Sequence, residues 1–391
     1  MKKKKKLRIA IFSDSFFPTI DGVVTSIVTT ANVLSKKGHS VMIFAPKPPK
    51  KQKLPLHKKV RVSWIRAVSL STYGQYRVSP PVSFSAQKKF EKFAPDVVHC
   101  HTPFSLGWIG LGLGKKLGVS VIATYHTLLP DFLVYLPIPY FNKSNFAKKI
   151  AWAYTNFFYN QADLVTTPSK AMASQLKKHD CPAIALSNPI QFSFFNRYAK
   201  TKRPSLKKEL RLVYFGRISF EKNLEVLIES LKFLLAKKIP VKLVLVGDGP
   251  ARKSLKKTAK NLGVSKKVLF TGMLRHQKLA KRVASCHIMV TPSTIETQGL
   301  TIIEGMAAGL PCVGTNFLAI PVVVKNGQNG FLFPPFDPKA CAEKIEKIYR
   351  SKSLYKKLSK NAVKTAKPYA AETIALEWEK TYSKIARKKS Q

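Results

Sequence analysis

Short runs of consecutive apolar residues rich in Val, Ile and Leu recur along the chain, separated by longer stretches whose apolar positions fall every three or four residues. Residues 7–13, 41–45, 96–101, 119–124 and 162–167 are such runs in the first half, and 210–215, 241–246, 267–270, 287–291, 312–314 and 330–333 in the second. Runs that are apolar at neighbouring positions, without strict alternation, predict strands covered on both faces, as in parallel sheets. The stretches 23–37, 250–262, 275–283, 338–349, 354–366 and 372–385 predict amphipathic helices. Strand, glycine turn, helix, strand is the opening of a Rossmann-type unit, and it starts twice, at 7 and at 210. The fold class predicted is α/β, with two Rossmann-like domains: residues 1–190, a polar, basic, Pro-broken linker 191–208, and residues 209–368.

Candidate chemistry concentrates at 292–311. Glu296 and Glu304 stand on either side of seven residues, and Gly299 opens an apolar run that Gly309 and Pro311 stop. That places Glu296 in a loop and Glu304 about one turn inside a helix, both able to face one ligand beside the helix's free N–H groups. Carboxylates there accept hydrogen bonds from sugar hydroxyls. Near the N-terminus, Asp21-Gly22-Val23 lies where backbone can approach a phosphate without a Cβ in the way. The chain lacks Gly-x-Gly-x-x-Gly there, which argues against a dinucleotide cofactor. Gly216-Arg217 follows a buried run, with Lys222 five residues on, a planar fork and a point charge suited to phosphate. Tyr125-His126-Thr127 sits at a strand's carboxyl end, where open α/β sheets bind ligands.

Glu296-Thr-Gln-Gly-Leu-Thr-Ile-Ile-Glu304 resembles the glutamate-seven-residues-glutamate signature of retaining, nucleotide-sugar-dependent glycosyltransferases of family 4 (group 1), which have the GT-B fold. Thr-Gln-Gly after the first Glu, and residues 96–107, resemble the branch that puts glucose on diacylglycerol. The resemblance implies two domains facing across a cleft, with a last helix, 369–391, crossing back to the first domain. It implies that Arg217 and Lys222 serve the donor diphosphate, and that His126 touches the transferred sugar. It further implies that Glu304 holds the ribose, that Glu296 with the Gln298, Gly299 and Leu300 backbone holds the hexose, and that the nucleobase sits near 270–273. Gly22 belongs to the donor-phosphate set. No nucleophile is assigned. Gly305 departs from the Ala usual after the second Glu, which slightly weakens the helix.

Charge extends the reading to partners. Of 391 residues, 68 are Lys or Arg against 20 Asp or Glu, a formal +48 that points to a polyanionic partner or a general lysine bias. Aromatics interleave with cations at 64–93, and at 131–160 with Lys143, Lys148 and Lys149, a pattern suited to a lipid interface and an acceptor cleft, or to core packing beside a solvated face. No helix-turn-helix, zinc or RNA-binding signature supports a nucleic-acid partner. The five cysteines are scattered, so neither disulfides nor zinc are expected, and His99-Cys100-His101 is not expected to bind metal. No cofactor is expected; magnesium is not indicated. No apolar run reaches about 18 residues, and Lys2–Lys6 does not open a signal peptide. The expectation is a hexosyltransferase using UDP-glucose and diacylglycerol, peripheral on the cytoplasmic face of an anionic membrane. The alternatives are a related transferase with another sugar or with phosphatidylinositol, a glycolipid or a polysaccharide precursor as acceptor, and a nucleic-acid-binding protein.

Overall fold

The computed structural model describes residues 5–19, 21–69, 77–126, 128 and 144–388, and the chain divides into two compact units. The first runs to Pro189 and resumes at Ala371; the second is the uninterrupted stretch Ile190–Ala370.

In the first unit β1 (Arg8–Phe12), β2 (Ser40–Pro46), β3 (Val60–Ile65), β6 (Val97–Cys100), β7 (Ser120–Thr124), β8 (Leu164–Thr167) and β9 (Ile184–Ala185) form a parallel sheet in the order β3-β2-β1-β6-β7-β8-β9. β4 (Val68–Ser69) and β5 (Arg77–Val78) pair antiparallel as a separate ribbon. Every residue of β6 and β7 is buried, because helices cover both faces of these central strands. The helix Ser105–Lys116 lies close on the sheet through its glycines: a Cβ at Gly110 would be 2.6 Å from the Phe12 ring, and one at Gly114 2.4 Å from Val121 Cγ2. The chain's last helix, Ala371–Lys388, adds Ile374, Trp378, Tyr382 and Ile385 to the core that contains Ile9, Ile11 and Ile43. Lys37 Nζ donates to its Glu379 Oε2 at 2.8 Å.

In the second unit β10 (Leu210–Phe215), β11 (Val241–Val246), β12 (Val268–Gly272), β13 (Ile288–Thr291), β14 (Cys312–Thr315) and β15 (Gly330–Phe333) form a parallel sheet in the order β12-β11-β10-β13-β14-β15. Side chains alternate between two cores: Leu212 and Tyr214 enter one, Val213 and Phe215 the other.

One expectation changes. The supposed linker 191–208 is built into the second unit: the helix Phe192–Asn196 buries Phe195, and Arg203 Nε and Nη2 donate to Ala284 O (2.8 Å) and Ala308 O (2.9 Å). Its basic residues disguise helix-end contacts as a solvated tether. In the aromatic and cationic stretch 64–93, part of the pattern is core packing. Among its described residues only Phe84–Phe93 is helical, and Phe90 is buried 6.0 Å from Phe12 and 6.3 Å from Phe44. Tyr73 and Tyr76 lie outside the described residues.

Candidate active site

A parallel sheet gathers loops at its carboxyl end, and where strand order reverses two of them diverge and leave a crevice. In the second unit the reversal falls between β10 and β13. Backbone hydrogen bonds hold the loop after β10 and its neighbour after β11: Gly216 N donates to Val246 O and Ile218 N to Asp248 O, each at 3.0 Å, and Gly247 N donates to Gly272 O at 3.0 Å. Gly247 has φ +141°, and a Cβ there would be 1.9 Å from Gly216 O, so a side chain would dislodge the Gly216-Arg217 turn. Tyr214 Oη donates to Arg217 O at 2.9 Å, closing the turn.

The 3₁₀ turn Phe220–Lys222 ends on Asn223 in the left-handed region (φ +54°), whose Nδ2 donates to Thr294 Oγ1 at 3.1 Å in the loop after β13. Beside this tie, Lys222 Nζ donates to Glu296 Oε1 at 2.7 Å, each side chain 17% exposed. The site's cation and carboxylate thus neutralise each other. Gly299 (φ +81°) turns the chain into the helix Leu300–Ala307, where Ile302, Ile303, Met306 and Ala307 are buried. Leu300 packs against that core while partly exposed, and Gln298 is buried. Glu304 is partly exposed, and burial pushes its carboxyl up to about 8. Gly305, read from sequence as a weakness, is a contact: a Cβ there would meet Met289 Cβ and Cγ at 3.3 Å, tighter than ordinary packing.

In the first unit the reversal falls between β1 and β6. Asp14, just after β1, accepts from Thr102 Oγ1 (2.7 Å), Leu106 N (2.9 Å) and Gly107 N (3.4 Å), so a buried carboxylate occupies the amino end of the helix Ser105–Lys116. Gly22 is exposed at the start of the helix Gly22–Lys36, and Asp21 Oδ1 accepts from Val24 N at 2.8 Å. His126 follows β7, 8% exposed, with Nε2 2.9 Å from His101 Nδ1. The His101 ring also lies 3.9 Å from that of His99, whose Nδ1 is 2.7 Å from Tyr382 Oη and whose Nε2 is 2.6 Å from Thr124 Oγ1. Burial holds all three imidazoles neutral, lowering His126 to about 3.

The sequence reading missed Asp14, Asn223, His99 and His101 as parts of these sites. The signal for the histidines was their spacing of two on a strand, which puts both on one face. Among the described residues no group of three His, Cys, Asp or Glu is arranged to hold a metal ion. Thr127 and the aromatic positions from Phe132 to Phe141 lie outside the described residues.

Comparison with known proteins decides the class. The model described as Glycosyltransferase Family 4 matches residues 20–190, and Glycosyl transferases group 1 matches 197–365. An alpha-monoglucosyldiacylglycerol synthase from Streptococcus pneumoniae is 30% identical over 322 residues, covering 78% of this chain and 70% of its own. The chain belongs to the family 4, group 1 glycosyltransferases. A synthase of the same description from Acholeplasma laidlawii is 28% identical over 401 residues, covering 98% of this glycosyltransferase and 99% of the relative. The sucrose-phosphate synthase of Thermosynechococcus elongatus superposes with a TM-score of 0.80 at 20% identity over 98% of this chain and 100% of its own, a match of fold. The glycosyltransferase therefore has two Rossmann-like domains and the GT-B fold.

A glycosyltransferase must stabilise charge that develops on a departing group. In this one, the crevice at the β10–β13 reversal brings Lys222 and Glu296 together beside the Gly216-Arg217 turn. It can offer positive charge to phosphate and a carboxylate to hydroxyls.

Proposed function

We propose that this glycosyltransferase moves glucose from UDP-glucose to the free hydroxyl of diacylglycerol, with retention, on the cytoplasmic face of an anionic membrane. The observation that carries the donor half is the Lys222–Glu296 pair where strand order reverses. In this reading Lys222 and Arg217 neutralise the leaving diphosphate, aided by backbone near Gly22 and Gly299. Glu304 takes the ribose hydroxyls, and Glu296 with Gln298, Gly299 and Leu300 takes the hexose, which His126 also contacts. One well-placed donor to a developing oxyanion is worth about 3–4 kcal/mol of barrier.

The acceptor half is supported by the two relatives named as monoglucosyldiacylglycerol synthases. It is supported also by the helix Asn145–Tyr159. One face packs Ala147, Ala151 and Phe158, while Phe146 (66% exposed), Ile150 (47%) and Phe157 (65%) project outward beside Lys148 and Lys149. Rings and ammonium groups so mixed suit the headgroup level of an anionic bilayer. No described helix is long and apolar enough to cross a membrane.

The test is incubation of purified protein with radiolabelled UDP-glucose and diacylglycerol in anionic vesicles. A labelled glucolipid is expected, which mild alkali deacylates to water-soluble labelled glucosylglycerol; label appearing only when phosphatidylinositol or another sugar nucleotide is supplied overturns the substrate assignment and keeps the class.

A further inference from the structure

We propose that His101 is a positioning residue that fixes His126 as the tautomer protonated on Nδ1, so that His126 meets the hexose as a hydrogen-bond donor and not as a base. This rests on the reading above, in which His126 contacts the transferred sugar. It goes beyond that reading by naming the atom that carries the proton and the residue that decides it.

One proton lies between His101 Nδ1 and His126 Nε2, 2.9 Å apart, and it can belong to either ring. The far nitrogen of His101 breaks the tie. His101 is 5% exposed, and its Nε2 is buried with no hydrogen-bond partner among the described residues. If His126 donated from Nε2, His101 would accept at Nδ1 and have to carry its own hydrogen on Nε2, as an N–H with nothing to receive it. Buried N–H groups without acceptors are rarer than buried acceptors without donors. With the proton on His101 Nδ1, the only N–H of that neutral ring is used, and His126 Nε2 accepts. His126, also neutral because it is buried, then carries its hydrogen on Nδ1.

Nor is His101 free to turn. Its backbone N donates to Phe12 O at 2.9 Å. Its ring lies between that of His99, at 3.9 Å, and that of His126, stacked at 5.1 Å with 11° between planes. His99 is itself held at both nitrogens, by Tyr382 Oη from the last helix and Thr124 Oγ1 from β7, and Thr124 Oγ1 is 2.6 Å from Thr166 Oγ1. The core of the sheet thus sets a ring orientation that is passed through two adjacent imidazoles to the residue at the sugar.

Long-range proton–nitrogen correlation spectra of the 391-residue chain, labelled with ¹⁵N at its eight histidines and assigned by His101→Asn and His126→Gln, read the tautomers directly. The expected spectrum shows His126 protonated at Nδ1 and His101 protonated at Nδ1; a His126 protonated at Nε2 overturns the proposal. His101→Asn places an amide N–H where Nδ1–H stood and is expected to keep the His126 tautomer and turnover within about threefold. His101→Asp offers only acceptors, is expected to move the His126 proton to Nε2, and to lower kcat by roughly 10²-fold, the worth of one donor, with KM for the sugar nucleotide nearly unchanged. Equal losses in the Asn and Asp variants, tracking their melting temperatures, would mean a packing role and overturn it. If His101→Asp prevents folding, the wild-type spectrum still decides. Full turnover by His126→Ala would refute the contact with sugar while leaving the tautomer assignment to stand or fall on the spectrum.

Discussion

Lys222 Nζ and Glu296 Oε1 are 2.7 Å apart at the reversal of strand order in the second sheet, so this cation and carboxylate satisfy each other. In the proposed reaction an incoming diphosphate competes with Glu296 for Lys222.

That competition gives two variants opposite signs. Glu296→Gln releases Lys222 and is expected to tighten UDP binding by about threefold to tenfold, in keeping with a partly exposed ion pair, while slowing turnover. Lys222→Ala is expected to weaken UDP and to lower kcat/KM by about 10²–10³-fold. Calorimetry on both proteins checks this, and weaker UDP binding by Glu296→Gln contradicts it.

Gly247 holds the Gly216-Arg217 turn from outside it. With φ +141° and Gly216 O 1.9 Å from any added Cβ, Gly247→Ala must displace the loop that carries Arg217. The expected result is a loss of about 1–3 kcal/mol in stability together with weaker UDP binding, measured by urea unfolding and calorimetry. Gly263→Ala, at φ +67° and with nothing within 4 Å of its added Cβ, is the control and should leave UDP binding unchanged.

Glu304 should make stability depend on pH. Its folded-state value of about 8 lies above the roughly 4.3 of an unfolded glutamate. Between these values the native protein holds a proton that the unfolded chain has released, so stability falls as pH rises through that window, by at most about 1.4 kcal/mol per unit. Glu304→Gln cannot ionise. Its melting temperature relative to wild type should climb from pH 5 to pH 8 and level off beyond, and a flat difference would show that Glu304 is charged throughout.

The outward face of the helix Asn145–Tyr159 should govern lipid attachment. Phe146→Glu with Phe157→Glu is expected to cut sedimentation with anionic vesicles by at least about tenfold, since two exposed rings become charges. The melting temperature should hardly change, because neither side chain is in the core. Undiminished sedimentation would place the membrane contact elsewhere.

Much of this was legible in the chain. Central strands such as β1 (Arg8–Phe12) and β13 (Ile288–Thr291) announce themselves because burial on both faces demands runs of neighbouring apolar residues, and Gly299 marks a helix start because a left-handed turn precedes it. What escaped depends on contacts between distant positions. Nothing local to Asp14 reveals that its carboxylate receives Leu106 N, 92 residues away, nor to His99 that Tyr382 lies 283 residues on. The stretch 191–208 was misjudged for a related reason: lysines and a proline look like solvent-exposed chain, whereas Phe195 and Arg203 are committed to sites formed much later.

Ile190 and Ala370 pair as a parallel bridge, and Ile190 N donates to Tyr369 O at 2.8 Å. The two ends of a stretch of 181 residues, 190 to 370 inclusive, are therefore fastened together at their own boundary. Exchanging such a segment takes two junctions, Pro189–Ile190 and Ala370–Ala371, which lie side by side at that bridge, so a related segment could be grafted in without cutting any strand.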